Sequence, residues 1–190
     1  MVGVNDFKKN QKILVDDEPY VIVDFQHHKP GKGNAITRVK LRHLISGTNL
    51  EKTFKSGEKF KVPDVHYTDM NFLYQDDSGY HFMNQTTFEQ LALADEVIGD
   101  DKYYLTENME VNVCLYNDRA VGIEVPKSVV LTVTETEPGL KGNTVTGATK
   151  PATLQTGLKV NVPLHISIGD ELKVDTKSGE YLERAKIGSN

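Results

Sequence analysis

"YVIVDFQHHKPGKGNAITRVKLRHL", residues 20–44, holds two runs rich in β-branched and apolar residues on either side of a cluster of turn-formers. The second run alternates: Val39 and Leu41 are apolar, and Arg38, Lys40 and Arg42 stand at every other position. Strand side chains alternate between faces with a period of two, so the apolar pair is expected to turn inward while the three cations share the opposite face. Between the runs lie Lys29, Pro30, Gly31, Lys32, Gly33 and Asn34. Proline, glycine and asparagine all favour turns, and the stretch predicts a hairpin with an extended tip. Glycine on both sides of Lys32 removes the steric limits of a Cβ and lets the backbone approach another surface closely.

The same pattern repeats outward along the chain. Strand-like runs occur at "QKILVD", "NLEKTFKS", "MEVNVCLYN", "AVGIEVP", "VVLTVTETE", "LKVNVPLHI" and "DELKVDT", with turn signals such as "SGT", "DDSG", "PGLKGN" and "KSGE" between them. One segment reads as helical, "TTFEQLALADEVIG" at residues 86–99. There Thr87 can cap the first turn, Gln90 can complete a capping box, and Gly99 offers a stop. Many short, evenly spaced strands with one or two short helices predict an all-β chain of small barrels rather than a single sandwich.

Charge divides the chain. Residues 1–63 hold 12 Lys and Arg against 7 Asp and Glu; residues 64–126 hold 2 against 13; residues 127–190 hold 8 against 7. Together with prolines in "KVPDV" (61–65) and "EVPKS" (124–128), this predicts three domains, 1–63, 64–126 and 127–190, with separate electrostatic tasks. A basic first domain can meet phosphate, and the acidic middle one would be repelled by it.

Several chemistries find no support in these residues. The single cysteine, Cys114, forbids an internal disulfide and sits in the apolar run "VNVCLY", where it reads as a small buried hydrophobe. His27 and His28 are neighbours on a strand and point to opposite faces, and no histidine joins cysteines at zinc spacing, so no metal is expected. There is no G-x-S-x-G, no Cys/His constellation and no dinucleotide fingerprint, and "GKG" lacks the rest of a phosphate-binding loop. The carboxylates of "ADEVIGDD" (94–101) read as a solvated helix end rather than an acid/base pair. The expectation is a non-enzymatic protein without cofactor. No run approaches eighteen apolar residues and the N-terminus lacks a secretory plan, which predicts a cytoplasmic protein with no membrane partner. From the residues alone the basic hairpin fits a phosphate-seeking surface and a plain solvated one equally well. General single-stranded RNA binding is the rival functional reading, against which the acidic middle segment argues.

Five stretches carry a family resemblance: "KPGKGNAITRVKLRHL" (29–44), "EKTFKSGEK" (51–59), "HFMNQTTFEQL" (81–91), "TETEPGLKGNT" (134–144) and "KPATLQTGLKVNVPLHISIGDELKVDTKSGEYLER" (150–184). Together they resemble bacterial translation elongation factor P, a relative of archaeal and eukaryotic initiation factor 5A. The resemblance runs over residues 4–184. It implies an N-terminal SH3-like (KOW-type) barrel and two OB-fold barrels arranged as an L. It also implies a monomer that binds both ribosomal subunits beside peptidyl-tRNA, stimulates peptide-bond formation and relieves stalling at consecutive prolines. Lys32 matches the tip lysine that many members carry in modified form, which implies a lysine-modifying enzyme as a further partner. Lys29, Pro30, Gly31, Lys32, Gly33, Asn34, Arg38, Lys40 and Arg42 are then expected to meet tRNA. Gly142, Asn143 and Thr144 stand where members commonly show Gly-Asp-Thr, in a loop expected to meet the codon on the small subunit. Asparagine there keeps an acceptor but loses the charge. Tyr181 and Arg184 are expected to supply contacts of the C-terminal domain.

Overall fold

In the computed structural model, which describes residues 1–139 and 147–188, nearly all regular structure is antiparallel strand. The first strands are β1 (Val2–Gly3), β2 (Lys12–Val15), β3 (Glu18–His28), β4 (Ile36–His43), β5 (Asn49–Lys55) and β6 (Lys59–Phe60). They form a sheet in the order β2-β3-β4-β5 and a small pair β1-β6. Alternation places Ile13, Val15, Ile22, Val39, Leu41 and Phe54 in one core with Val4 and Phe7. The Phe7, Phe54 and Phe60 rings pack there, with centroids 4.6 to 6.4 Å apart.

The long strand β3 breaks its own alternation. Val21 and Ile22 are both buried, at 6% and 0% exposure, and the register with β4 shifts between Ile22 and Asp24. Adjacent strand residues face opposite sides, so both faces are covered at this point, and the extra residue Val23 then shifts the parity, which brings Phe25 to the same core as Ile22. Ile22 enters the first core, while Val21 joins Leu44, Cys114 and Val121 in a second. Cys114 is buried among apolar side chains, as its surroundings in the sequence suggested. That second core explains why residues 114–122 belong to one compact unit with residues 1–67, whereas residues 68–113 and 123–190 form the other.

The middle strands are β7 (Val65–Asp76), β8 (Gly79–Met83), β9 (Gln90–Leu93), β10 (Glu110–Tyr116) and β11 (Arg119–Glu124), in the sheet order β11-β10-β7-β8-β9. The helix expected over residues 86–99 is not what forms. Gln90 to Leu93 pair with Met83 to Tyr80 as a strand, because burying Leu93 beside β8 outweighs a local helical preference. Thr87 caps no helix; the helix α1 (Asp95–Ile98) spans one turn and ends at Gly99, whose φ of +58° suits the stop that was expected. Before β9 the chain turns through Phe88 at φ +61°, a conformation that costs a bulky residue roughly 1 kcal/mol or more.

The last strands are β12 (Ser128–Thr136), β13 (Thr149–Leu154), β14 (Lys159–Pro163), β15 (Glu171–Asp175) and β16 (Tyr181–Lys186), ordered β14-β13-β12-β15-β16. Their core gathers Leu131, Val133, Leu154, Val162, Ile166, Leu172 and Val174, with Tyr104 packed among them. Burial pushes the Tyr104 hydroxyl above the usual phenol range, and the Asp101, Asp100 and Asp175 charges add to it. Both proline-bearing segments singled out in the sequence, 61–65 and 124–128, carry a break between strands.

Candidate nucleic-acid interface

The β3–β4 hairpin carries the lysine tip. Its register pairs His28 with Ile36, His27 with Thr37, Gln26 with Arg38, Phe25 with Val39 and Asp24 with Lys40. The tip is therefore seven residues, 29–35, one longer than the sequence suggested because Ala35 stays outside the strand. Thr37, Val39 and Leu41 are buried beneath it, so the stem is anchored in the core while Lys32 stands exposed. Lys29, Gly31, Gly33 and Asn34 are exposed with it and Pro30 is half-buried. Among the described residues no hydrogen bond ties residues 30–34; the nearest runs from the Ser56 N–H to the Ala35 carbonyl at 3.0 Å. The two glycines differ. Gly33 has φ +112°, which disfavours any Cβ, whereas a Cβ on Gly31 would meet nothing within 4 Å and its backbone demands none of glycine's freedom.

Down the stem the cations behave as the alternation predicted, with Arg38 and Lys40 exposed and Arg42 half-buried. Neighbouring strands bring something one-dimensional reading missed. Lys40 stands between Asp24 on β3 and Glu51 on β5. The Arg38 Nε lies 3.6 Å from Glu51 Oε1, and Lys9 Nζ lies 3.7 Å from Asp24 Oδ1. A hollow of about 270 Å³ opens among Asp24, Gln26, Arg38, Lys40 and Glu51. The face is thus a checker of both signs. Exposed pairs of this kind are worth little, from nothing to about 1 kcal/mol, so Arg38 can exchange Glu51 for an incoming phosphate at small cost. At the base of the tip, His27 Nδ1 meets Thr37 Oγ1 at 2.7 Å and its ring stands edge-on to Phe25, centroids 5.3 Å apart. A second hollow, of about 320 Å³, lies beside it and is lined by Asn5, His28 and Lys29.

The remaining expected sites are differently disposed. Gly142, Asn143 and Thr144 lie outside the described residues. Tyr181 packs half-buried against the last core. Arg184 Nη1 lies 3.9 Å from Asp170 Oδ2, and Asp170 is itself buried, accepting the Ser167 and Gly188 backbone N–H groups at 2.9 Å each. Burial alone would raise the Asp170 pKa, but those two N–H groups and the Arg184 charge outweigh it and hold the carboxyl below its ordinary value. Within this structure Arg184 helps close the end of the last sheet.

One constellation escaped the sequence reading because it spans a turn. Ser78 Oγ donates to Asp76 Oδ1 at 2.6 Å, and His81 Nε2 lies 2.8 Å from the same oxygen and 3.1 Å from Ser78 Oγ. Serine, histidine and aspartate are together, but the serine and the carboxylate meet one and the same imidazole nitrogen. A hydrolytic triad needs them on opposite nitrogens, so this trio locks a turn and activates no nucleophile. Among the described residues no cluster of His, Cys, Asp or Glu is arranged to hold a metal ion, and no helix is long and apolar enough to cross a membrane.

Comparison with known proteins adds an independent line. Three families match in succession: the elongation factor P (EF-P) KOW-like domain over residues 3–60, the EF-P OB domain over residues 65–123, and the elongation factor P C-terminal family over residues 129–184. Elongation factor P of Bdellovibrio bacteriovorus is 60% identical over 184 residues, covering 97% of this chain and 98% of that protein. Elongation factor P of Maridesulfovibrio salexigens is 48% identical over 186 residues, covering 98% and 100%. A solved structure, eukaryotic translation initiation factor 5A from Methanococcus jannaschii, aligns with 66% of this chain and 90% of its own at 27% identity and a TM-score of 0.44.

Proposed function

This chain belongs to the elongation factor P family and is a translation elongation factor, and from that premise we propose how it acts. It binds the ribosome beside peptidyl-tRNA and stimulates peptide-bond formation at consecutive prolines by presenting Lys32, in modified form, to the reacting end. It does so as a monomer of the cytoplasm in three domains, 1–63, 64–126 and 127–190. The three successive family matches and the breaks between strands at both proposed seams support that division.

The observation that carries the proposal is the construction of the hairpin. A stem anchored by buried Thr37, Val39 and Leu41 holds an exposed lysine on a tip whose residues 30–34 make no hydrogen bond among the described residues. Such a group needs no acid, base or nucleophile beside it. Proline fixes φ and makes the nascent chain a poor partner in peptide transfer, and a reaction limited by geometry gains from having its reacting end held in place. The protein is then a positioning factor rather than an enzyme, and no cofactor is required. Lengthening Lys32 by a modifying enzyme would extend its reach while keeping a terminal hydrogen-bond donor. Lys29, Pro30, Gly31, Gly33 and Asn34 would lie along tRNA with it, and Arg38, Lys40 and Arg42 would seat the stem on phosphate. Gly142, Asn143 and Thr144 would meet the codon on the small subunit, with Tyr181 and Arg184 shaping the C-terminal contact.

The test is a polyproline reporter translated with purified protein. Lys32→Ala should lose rescue at every concentration while melting as the parent does, since an exposed tip residue has little packing to lose. Rescue at the parent's level by the folded variant would remove the proposal. Intact mass above 21.2 kDa in the native protein, mapped to the peptide bearing Lys32, would establish the modification.

A further inference from the structure

The fold asks nothing of residue 88 that phenylalanine supplies. The residue is 69% exposed, so it builds no core. Its φ of +61° suits small polar residues far better than aromatic ones. The other six non-glycine residues at positive φ among the described residues are Asn10, Asp16, Asp17, Asn108, Asn117 and Asp118. At every other described position with positive φ this sequence places glycine, asparagine or aspartate; at 88 it keeps a large ring in water.

The loop that displays the ring is braced. Phe88 N–H donates to the Asn84 carbonyl at 2.8 Å, and Asn84 N–H donates to the Glu89 carbonyl at 2.9 Å. The Asn84 side-chain oxygen accepts the Thr86 and Thr87 N–H groups at 2.8 and 3.1 Å. A loop backbone held in this way loses little freedom on docking, a condition that favours a strong contribution from one aromatic anchor.

We propose that Phe88 is a docking knob that seats the acidic segment 64–126 in an apolar socket on a basic protein of the translation machinery. The choice of partner follows from charge. The segment carries 13 acidic residues against 2 basic ones, and Glu89 stands exposed next to the ring. Nucleic-acid phosphate, an anionic lipid surface and a second copy of the same segment would all be repelled, whereas a basic protein would be attracted and oriented. The partner's identity as a ribosomal component rests on the function proposed above.

The experiment uses purified ribosomes and the full-length protein. Phe88→Asn removes the ring and relieves the backbone, so its melting temperature should equal or exceed the parent's while ribosome affinity falls about tenfold, the range of an aromatic anchor. Phe88→Tyr should keep affinity within about threefold. A benzophenone amino acid at position 88 should cross-link, on the ribosome, to a protein of basic composition. Parent-like affinity of Phe88→Asn, or cross-links to RNA alone, would overturn the knob while leaving ribosome action intact. A parent protein that fails to bind ribosomes would overturn the functional proposal and the knob together.

Discussion

Two hairpins of this protein end in exposed tips, and they are held in opposite ways. The tip at 29–35 puts Lys32 outward on a stem rooted in the core, with no hydrogen bond among the described residues securing 30–34. The tip at 84–89 puts Phe88 outward on a loop braced through Asn84 by four hydrogen bonds. A loose tip must be ordered by what it touches, at an entropic cost of roughly 1 kcal/mol or more per residue, but it adapts to a reacting end that itself moves. A braced tip has met that cost during folding and suits a fixed socket. The molecule thus separates reaching from gripping, and the distinction can be tested at each tip.

The largest effect should come from removing the loose tip altogether. His28 and Ile36 face each other across the ladder, so residues 29–35 can be replaced by Asn-Gly in a two-residue turn matched to a β-hairpin. Polyproline rescue should disappear entirely, while the melting temperature stays level or rises because a shorter loop is less costly to close. A large loss of stability would show that the tip belongs to the fold, and the contrast with the braced loop would fail. At the other tip, Asn84→Ala should cost about 1 kcal/mol, since the Thr86 and Thr87 N–H groups lose their acceptor. Thermal melting together with faster hydrogen exchange at residues 86–88 is the check; unchanged exchange would mean that the side chain does not brace the loop.

These two tips also show what could be read along the chain and what could not. The lysine hairpin was legible because its information is local: alternation fixes which face each residue takes, and Pro-Gly-Lys-Gly-Asn can only turn. The braced loop was misread as the start of a helix. Thr87, Gln90 and Gly99 do spell helix signals, but β8 offers Gln90 to Leu93 a ladder and a buried place for Leu93. Strand β7 was overlooked because its outward positions are polar and acidic, and β13 because Pro151 lies within it. Proline forfeits one ladder donor, a loss that the alternating burial of Lys150, Ala152 and Leu154 outweighs. Asp24 and Glu51 were missed for a different reason. Nothing in their own neighbourhoods shows that strand register sets both beside Lys40.

A smaller effect separates the two glycines of the loose tip. Gly31→Ala should leave stability unchanged, because the new Cβ meets nothing in the free protein. Gly33→Ala at φ +112° should cost up to about 1 kcal/mol, with the unsecured tip relaxing to absorb part of it. If the backbone of the tip approaches tRNA closely, Gly31→Ala will nevertheless lower rescue, an effect with no counterpart in stability. Full rescue by Gly31→Ala would confine the need for glycine to position 33 and leave the tip's freedom unconnected to a close approach.

The smallest effect lies at a third tip, the turn between β7 and β8, which is gathered about the Asp76 carboxylate. The Ser78 hydroxyl and then the His81 ring bond to the Asp76 carboxylate and lower its pKa from 3.8 to about 2. Since the folded value lies below the unfolded one, the bonds stabilise the turn above about pH 3.8 and are lost as the pH falls toward 2. The carboxylate is open to solvent, so the loss should loosen the turn without unfolding the sheet. NMR titration of the Asp76 carboxyl should find its midpoint near 2 in the parent protein. Because the serine bond is the larger cause, Ser78→Ala should move that midpoint further toward 3.8 than His81→Ala does. The reverse order would mean that the imidazole, stacked on Tyr74 at 4.5 Å, is the true anchor of the turn.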